Sequence, residues 1–539
     1  MDFICFDTED NSKELADDPN ASLFDRRVTQ IAAMAGDGSE FYAKGDGCEV
    51  KFVKWVEKRP ETRIYALNTQ YDLGNLTAAV PMDRWDITLV KGRLIKAVGK
   101  EKQFLDVFNL YQMSVAKLGE CFGLEKGEFD ADSRDYVFRD VEIIHRAITF
   151  VWQMAEAIGV LPLPSTIAGL AMKVWKAWGG YNYHDSSTLS RAAYYGGRVE
   201  LFKPRNTSKV VAYTDINSLY PSAMLGEFPL VMEDFNDLPK WGVADVTIKT
   251  PDWQIAVLPF RNAEGEILYP RGKFRGVWTC HEIRAAVERG ATILELHQAQ
   301  GCNEAHRPYA EFVQRCYELR LASSNEAEKT FFKLLMNNLY GRLSISGEVT
   351  RSVHRSPETE DKGDCYGEKV LVTYKMPLAE ETNWSHGAHV TSYGRLRLLE
   401  FLEKIGAKNL IYCDTDSAIF DCPSKKIPFK TSMDLGEMKL ERDKENKTDF
   451  WPGCEVFAPK CYKLGKHYKA KGVPRSLAKE FLTEGHCEFR LPFKLRESIR
   501  FYDRGNSKPL SHWRKVVKQM QKEYRKKDLK NGHFIPCKV

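Results

Sequence analysis

Apolar and polar positions fall into three patterns along this chain. The first is a short apolar run that ends in acids. It occurs in FICFDTED (3–10), in VVAYTDINSLYPSAM (210–224) and in IYCDTDSAIF (411–420). Each reads as a strand, and the last as a strand or hairpin, because β-branched and aromatic residues flank a short polar centre. The second pattern is helical spacing. KTFFKLLMNNLYGRL (329–343) is expected to form a helix that stops near Gly341. YVFRD (136–140) leads into the helical run VEIIHRAITFVWQMAEAI. In SHWRKVVKQMQKEYRKKDLK (511–530), Trp513, Val516, Val517 and Met520 also fall at helical spacing, which predicts a helix with Lys518, Lys522 and Lys526 facing outward. The third pattern is the pair SISGEVTRSVHR and EKVLVTYKM within 345–388, read as the two strands of a hairpin around a polar loop.

The strand-end acids carry the chemistry. Residues i and i+2 of a strand share a face, so Asp414 and Asp416 project together. Burying unpaired carboxylates is costly, and two adjacent ones repel unless a cation lies between them. Asp215 is a third acid at a strand end and completes a candidate two-cation cluster. Oxygen ligands of this kind suit Mg²⁺ or Mn²⁺, and such a site performs in-line displacement at phosphorus. Lys329, Lys333, Asn337 and Tyr340 lie on one stripe of the intervening helix and can hold a triphosphate and stack on a base. Each stretch alone is equally what a solvated hairpin or an amphipathic helix looks like.

A second acidic set lies near the N-terminus. Asp7 and Glu9 share a strand face. Asn68 and Asp72 in NTQYD are four positions apart, as are Tyr136 and Asp140 in YVFRD. Four carboxylates can thus converge on two further cations, with Tyr136 orienting a water. Taken singly, these pieces also fit N-caps or solvated acids.

Composition and charge narrow the picture. The chain has 539 residues, 43% hydrophobic and 28% charged, which suits several soluble domains. No apolar run approaches the ~18 residues of a membrane span. MDFICFDTED has no basic region, so no secretory signal is expected. The 13 cysteines form no zinc-type CxxC pair, and reduced thiols are expected. Residues 1–150 hold 20 basic and 27 acidic residues, whereas residues 460–539 hold 22 and 7. The basic end suggests a polyanionic partner, and a solvated charged face accounts for it equally well.

In their order, these stretches resemble family B DNA polymerases. DINSLYPS is similar to motif A, KLLMNNLYG to motif B and YCDTDS to motif C. HVTSYGRLRLL resembles the TxxGR element, with Thr391 and Arg395, and APKCYKL the KxY element, with Lys460 and Tyr462 on one strand face. The resemblance implies that Tyr220 excludes a ribose hydroxyl and that Lys333, Asn337, Tyr340 and Arg320 bind the incoming nucleotide. It also implies that Thr391, Arg395, Lys460 and Tyr462 touch DNA. The N-terminal set resembles the three motifs of DEDDy proofreading domains, with Asp7, Glu9, Asp72 and Asp140 as metal ligands, Asn68 on DNA and Lys126 as an auxiliary lysine. LDVFNL (105–110) departs from the usual single-strand-binding element: Phe108 can stack on a base, but Val107 replaces a hydroxyl residue.

YYGGRVELF (194–202) resembles the YxGG element of protein-primed polymerases, which places Tyr194, Gly196 and Gly197 near DNA. The segments 226–303 and 345–388 resemble the two terminal-protein regions of the small linear-genome bacteriophage enzymes. The implied fold is α/β and α+β multidomain: an RNase H-like 3′–5′ exonuclease domain plus a right-hand palm, fingers and thumb. Expected boundaries are 1–160 for the exonuclease domain, 161–205 for the linker with YxGG, 206–225 for palm with motif A, and 226–303 for the first insertion with part of the palm. Fingers follow at 304–344, the second insertion at 345–388, palm again at 389–468 and thumb at 469–539.

The implied function is DNA-directed synthesis with proofreading, two Mg²⁺ or Mn²⁺ per site, and DNA primer-template, dNTPs and a terminal protein as partners. The enzyme is expected to be a monomer in the cytoplasm of an infected cell, with no membrane partner. A primer-independent polymerase of the same family and a DNA-binding protein with a decayed site are the alternatives.

Overall fold

The computed structural model describes residues 1–11, 27–77, 79–125, 133–203, 209–345, 347–443, 445–492, 495–496, 513–520, 527–530 and 533–538. Lys126, Lys522 and Lys526 lie outside these residues.

The N-terminal acids stand on the first strand of a sheet. β1 (Phe3–Asp10) is flanked by antiparallel β2 (Val28–Ala35), itself paired with β3 (Glu40–Lys44). On its other side runs parallel β4 (Arg63–Ala66), followed by parallel β7 (Lys102–Asp106). Successive β1 side chains point to opposite faces. Phe3 and Cys5 pack toward α3 (Arg134–Ile158), whereas Ile4 and Phe6 pack toward α1 (Cys48–Glu57). α3 starts where the Ser133 hydroxyl accepts from the Tyr136 amide and stops at Gly159 with φ 78°. A left-handed residue there costs glycine nothing. The hairpin β5 (Asp86–Val90) and β6 (Arg93–Gly99) extends the sheet beyond β7.

Beyond β5 the same sheet continues with residues more than 250 positions away. The second insertion forms β14 (Glu348–His354), β15 (Gly363–Tyr366) and β16 (Lys369–Lys375). β14 and β16 are the expected hairpin partners. β14 also pairs with β5, Val349 opposite Val90, so one ten-stranded sheet runs β15-β16-β14-β5-β6-β7-β4-β1-β2-β3.

The palm is a five-stranded antiparallel sheet in the order β19-β9-β18-β17-β8. Its strands are β8 (Val199–Leu201), β9 (Val211–Ile216), β17 (Leu410–Asp414), β18 (Ser417–Asp421) and β19 (Met438–Leu440). One face is covered by α9 (Trp384–Ile405), through Leu398, Phe401 and Leu402. The first insertion builds a separate four-stranded sheet from β10 (Glu233–Phe235), β11 (Trp241–Lys249), β12 (Lys273–Thr279) and β13 (Thr292–Cys302), backed by α6 (Cys280–Glu288).

Motif B lies on α8 (Glu326–Leu343), which packs against α7 (Ala310–Ala322) and α4 (Ile167–Ala177). Asn325 caps α8 by accepting from the Glu328 amide. The helix runs through Gly341, the expected stop, because Leu343 is fully buried and continues its apolar face. A three-stranded sheet, β20 (Cys454–Ala458), β21 (Cys461–Leu464) and β22 (His467–Ala470), carries the chain from the palm toward the C-terminal region.

There the expected helix over 511–530 gives way to a strand. β24 (Trp513–Gln519) pairs with β23 (His486–Pro492). Adjacent β-branched Val516 and Val517 suit the pleat, with Val516 against the core and Val517 exposed. No disulfide joins any of the 13 cysteines. Among the described residues no helix is long and apolar enough to cross a membrane.

Candidate active sites

Asp414 and Asp416 meet in a tight hairpin. Asp414 is opposite Ser417, which leaves Thr415 and Asp416 as the two turn residues. Thr415 takes φ 65°, and the Asp416 amide donates to the Asp414 carbonyl at 2.7 Å. Asp215 sits beside the turn, because it is opposite Ser417 on β9 and the next amide, of Ile216, donates to the Asp416 carbonyl at 2.7 Å. The three expected acids are thus brought together by backbone register.

Their electrostatics show a shortage of positive charge. Burial raises the Asp215 carboxyl above its ordinary value. Burial, then the charges of Asp215 and Asp414, pushes Asp416 up to about 6. The balancing cations lie at the edges: Lys439 Nζ is 3.4 Å from Asp215 and Lys460 Nζ 3.4 Å from Asp414. The charge of Lys333 on α8 also reaches Asp215 and Asp416.

The residues expected at the nucleotide surround this cluster. Tyr220, on the short helix α5 (Leu219–Ala223), packs against Tyr340 of α8 with centroids 4.5 Å apart. Arg320 of α7 reaches motif A, its guanidinium 3.5 Å from the Ser218 hydroxyl. Asn337 is half-buried on the same helix as Lys333 and Tyr340. Lys329 is instead exposed and paired with Glu326 at 2.8 Å. Gly197 lies directly under the Thr415–Asp416 turn. A Cβ there would meet Thr415 Cγ2 at 2.6 Å and the Tyr220 hydroxyl at 2.9 Å, so only glycine allows this approach. Tyr194, half-buried, meets Trp384 edge-on at 5.8 Å.

Two elements are placed differently from the expectation. Thr391 and Arg395 were expected at DNA, but they are 1% and 2% exposed. Thr391 donates within its own helix to the Gly387 and Ala388 carbonyls. Arg395 makes two 2.9 Å bonds to Glu282 of α6 and donates to the Tyr195 and Gly196 carbonyls. A guanidinium forks in this way when it braces backbone, and here it braces the non-regular segment leading to Gly197. Lys460 lies outside the strand, in a left-handed turn with φ 61° between β20 and β21. Its turn amide donates to the Tyr412 hydroxyl, which donates to Asp414. Tyr462 is buried, 5.9 Å from the Tyr412 ring.

At the other site, Asp7 and Glu9 of β1 and Asp140 of α3 offer oxygens that all lie within 4.8 Å of one another. This is a hard, three-carboxylate donor set that suits a divalent cation. Tyr136 is one helical turn before Asp140. Asp72, on α2 (Thr69–Asn75), was expected in the cluster but stands apart from that close set. It accepts from the Thr8 hydroxyl at 2.7 Å and the Thr8 amide at 3.2 Å. Burial pushes Asp72 up to about 8 against these two bonds, and the charge of Asp106 adds to the rise. Asn68 is exposed in a left-handed conformation, φ 71°, at the start of α2. Phe108 is covered by the Arg93 guanidinium at 4.6 Å, and Val107 is fully buried.

Sequence reasoning missed Asp106. Its carboxylate accepts at 2.9 Å from the amides of Asn68 and Phe108 and so locks the two DNA-facing candidates together. The signal was present: LD before VFNL is another apolar run ending in an acid. Glu282 was missed as well, although an acid between Cys280 and Ile283 on a buried helix face is a flag for a partner.

The chain thus joins a palm-type sheet bearing one acid cluster to an N-terminal α/β domain bearing another. A family model, DNA polymerase type B, organellar and viral, matches residues 126–383. The DNA-directed DNA polymerase of Enterobacteria phage PRD1 is 23% identical over 425 residues, 74% of each chain. A probable DNA polymerase of Neurospora intermedia is 27% identical over 337 residues, which covers 55% of this chain but only 34% of the fungal protein. Phi29 DNA polymerase in an orthorhombic crystal form superposes with a TM-score of 0.71 at 15% identity, over 91% of this chain and 97% of that one. Its complex with primer-template DNA and incoming nucleotides gives 0.69 at 15% identity, over 97% and 100%. That family model covers just under half of the chain, and the fold of the chain is that of the phi29 enzyme.

Proposed function

We propose that the chain is a DNA-directed DNA polymerase with 3′–5′ exonuclease activity. The observation that carries this reading is the register that sets Asp215 beside the Asp414–Asp416 turn, under a helix bearing Lys333 and Tyr340. The separate set of Asp7, Glu9 and Asp140 supports the second activity. Oxygen-only donor sets, with Asp215 and Asp416 pushed up by burial, fit Mg²⁺ or Mn²⁺, two per site. Bound there, the cations would supply Lewis acidity to the attacking hydroxyl and the phosphoryl oxygens. Asp215 and Asp414 would hold them, and Asp416 would support the site.

The protein's own groups do the rest. Lys333 and Arg320 draw the triphosphate toward motif A. Tyr220, held by Tyr340, fills the space a ribose hydroxyl needs. Lys460 anchors the primer strand near Asp414. At the second site Tyr136 orients the water that cleaves a mismatched terminus, and Phe108 stacks on its base. The two insertions, at 226–303 and 345–388, support protein-primed and strand-displacing synthesis on a linear, phage-type genome in an infected cell. A terminal protein would donate the first hydroxyl.

The test separates the sites. Asp414→Asn should lower primer extension by about 10³-fold, a loss near 4 kcal/mol of transition-state stabilisation. DNA binding and digestion of single-stranded DNA should persist. Asp7→Ala with Glu9→Ala should abolish digestion and spare extension. Near wild-type extension by the Asn variant, or joint loss of both activities, would reject the assignment. For priming, labelled dNTP should become covalently attached to a co-encoded small basic protein. Label that appears only on DNA rejects that part.

A further inference from the structure

The face of the N-terminal sheet opposite Asp7, Glu9 and Asp140 carries a cavity of about 710 Å³ that neither proposed activity uses. Its floor is Phe52, Trp85 and Phe104, all buried, with Trp85 edge-on to Phe104 at 4.8 Å. Its sides are aliphatic, chiefly Val53 of α1 and Val80. Two further features of the cavity point to a ligand.

The first is charge. Four cationic residues, Lys54, Arg84, Lys100 and Lys102, line the cavity against a single carboxylate, Glu57. Glu57 is already paired with Lys100 at 2.7 Å, and the Lys102 ammonium is bonded to the Arg59 and Glu61 carbonyls. Lys54 and Arg84 are left exposed at the rim. The second is an open apolar wall: Val53 and Val80 are only half-buried and line the same cavity as those cations.

We propose that this cavity docks an acidic peptide segment of a partner protein. The segment would seat an apolar side chain against Val53 and Val80 and offer carboxylates to Lys54 and Arg84. An aliphatic-walled pocket favours a side chain over a nucleobase, because bases are held on exposed aromatic platforms. The position carries a consequence. The Trp85 carbonyl accepts from Tyr366 of the second insertion at 3.3 Å, and β5 begins at the next residue. A docked partner therefore sits behind the junction of nuclease domain and insertion. The inference is independent of the polymerase reading.

The test is fluorescence anisotropy on the full chain with a labelled peptide, DDEDLPF, carrying a free carboxyl terminus. Saturable binding is expected, weakened about tenfold or more by Lys54→Glu with Arg84→Glu, since both contacts are charge pairs. Val53→Lys, on the cavity wall, should weaken it independently, and primer extension should be unchanged in both variants. KKRKLPF should not bind. Absence of saturable binding, equal affinity in the variants, or equal affinity for KKRKLPF overturns the proposal. Displacement of the peptide by an oligothymidylate would assign the surface to nucleic acid and also overturns it.

Discussion

Tyr220 owes its fixed position to three neighbours. Tyr340 stacks against it at 4.5 Å, Gly197 leaves space for its hydroxyl, and Gly394 lies 3.3 Å from its ring edge in Cβ terms. A side chain so enclosed cannot swing aside to admit a larger sugar. Tyr220→Val should therefore lower discrimination against ribonucleotides by about tenfold or more, the scale of one steric contact. The ratio of kcat/KM for dNTP and rNTP in single-nucleotide addition measures it, and an unchanged ratio rejects the steric role. The three palm acids were legible as acids at strand ends, but Asp414 and Asp416 meet through a two-residue turn and not through strand alternation. Arg395 was not legible in this way: the TxxGR resemblance implied DNA, but its partner Glu282 lies 113 positions away on another sheet's helix. Lys460 was misplaced for a local reason, a left-handed turn that strand alternation does not reveal.

Helix α9 shows what a single element can hide. It buries His386 and His389, and His281 of α6 packs beside them. Pro229 offers His386 Nε2 only an acceptor and the Tyr309 hydroxyl faces Nδ1, so both contacts suit the neutral ring. Burial holds all three below the ordinary value, His389 at about 4. Folding therefore excludes protons that the unfolded chain takes up near pH 6.5. The contribution of His389 is fully present above pH 6.5 and is lost as pH falls toward 4, at up to about 1.4 kcal/mol per pH unit. Denaturant midpoints measured from pH 7 to pH 5 should fall more steeply in the wild type than in His389→Gln. Parallel curves reject the account. The helices α3 and α8 were legible from apolar spacing, although α8 runs past the expected stop at Gly341, and the insertion hairpin from its two apolar runs. The segment at 511–530 was not, because four apolar residues fit helical spacing and strand pairing alike, and only β23 decides between them.

At the scale of the whole molecule, the second insertion joins regions far apart in sequence. Arg496, beyond β23, pairs with Asp364 of β15 and donates to the Thr373 hydroxyl of β16 at 3.2 Å, while Leu495 is fully buried in the core shared with the nuclease sheet. These contacts tie the C-terminal region to the insertion hairpin. Losing about 1 kcal/mol there by Arg496→Ala corresponds to a roughly fivefold faster release of DNA, because such contacts act on k_off. Single-nucleotide addition should not change, and products made with a DNA trap present should shorten. Unaltered product lengths reject the tie. No sequence pattern foretold that β14 would pair with β5, since the bond from the Ile87 amide to the Ser352 hydroxyl spans 265 positions. That pairing also shields the nuclease sheet. Without β14, the backbone donors and acceptors of β5 would face solvent as an open edge, the kind of surface that recruits strands from other molecules. The hairpin is thus a guard against self-association, and a chain shortened by removing it would be prone to stack into oligomers through β5 before any defect in synthesis could be read.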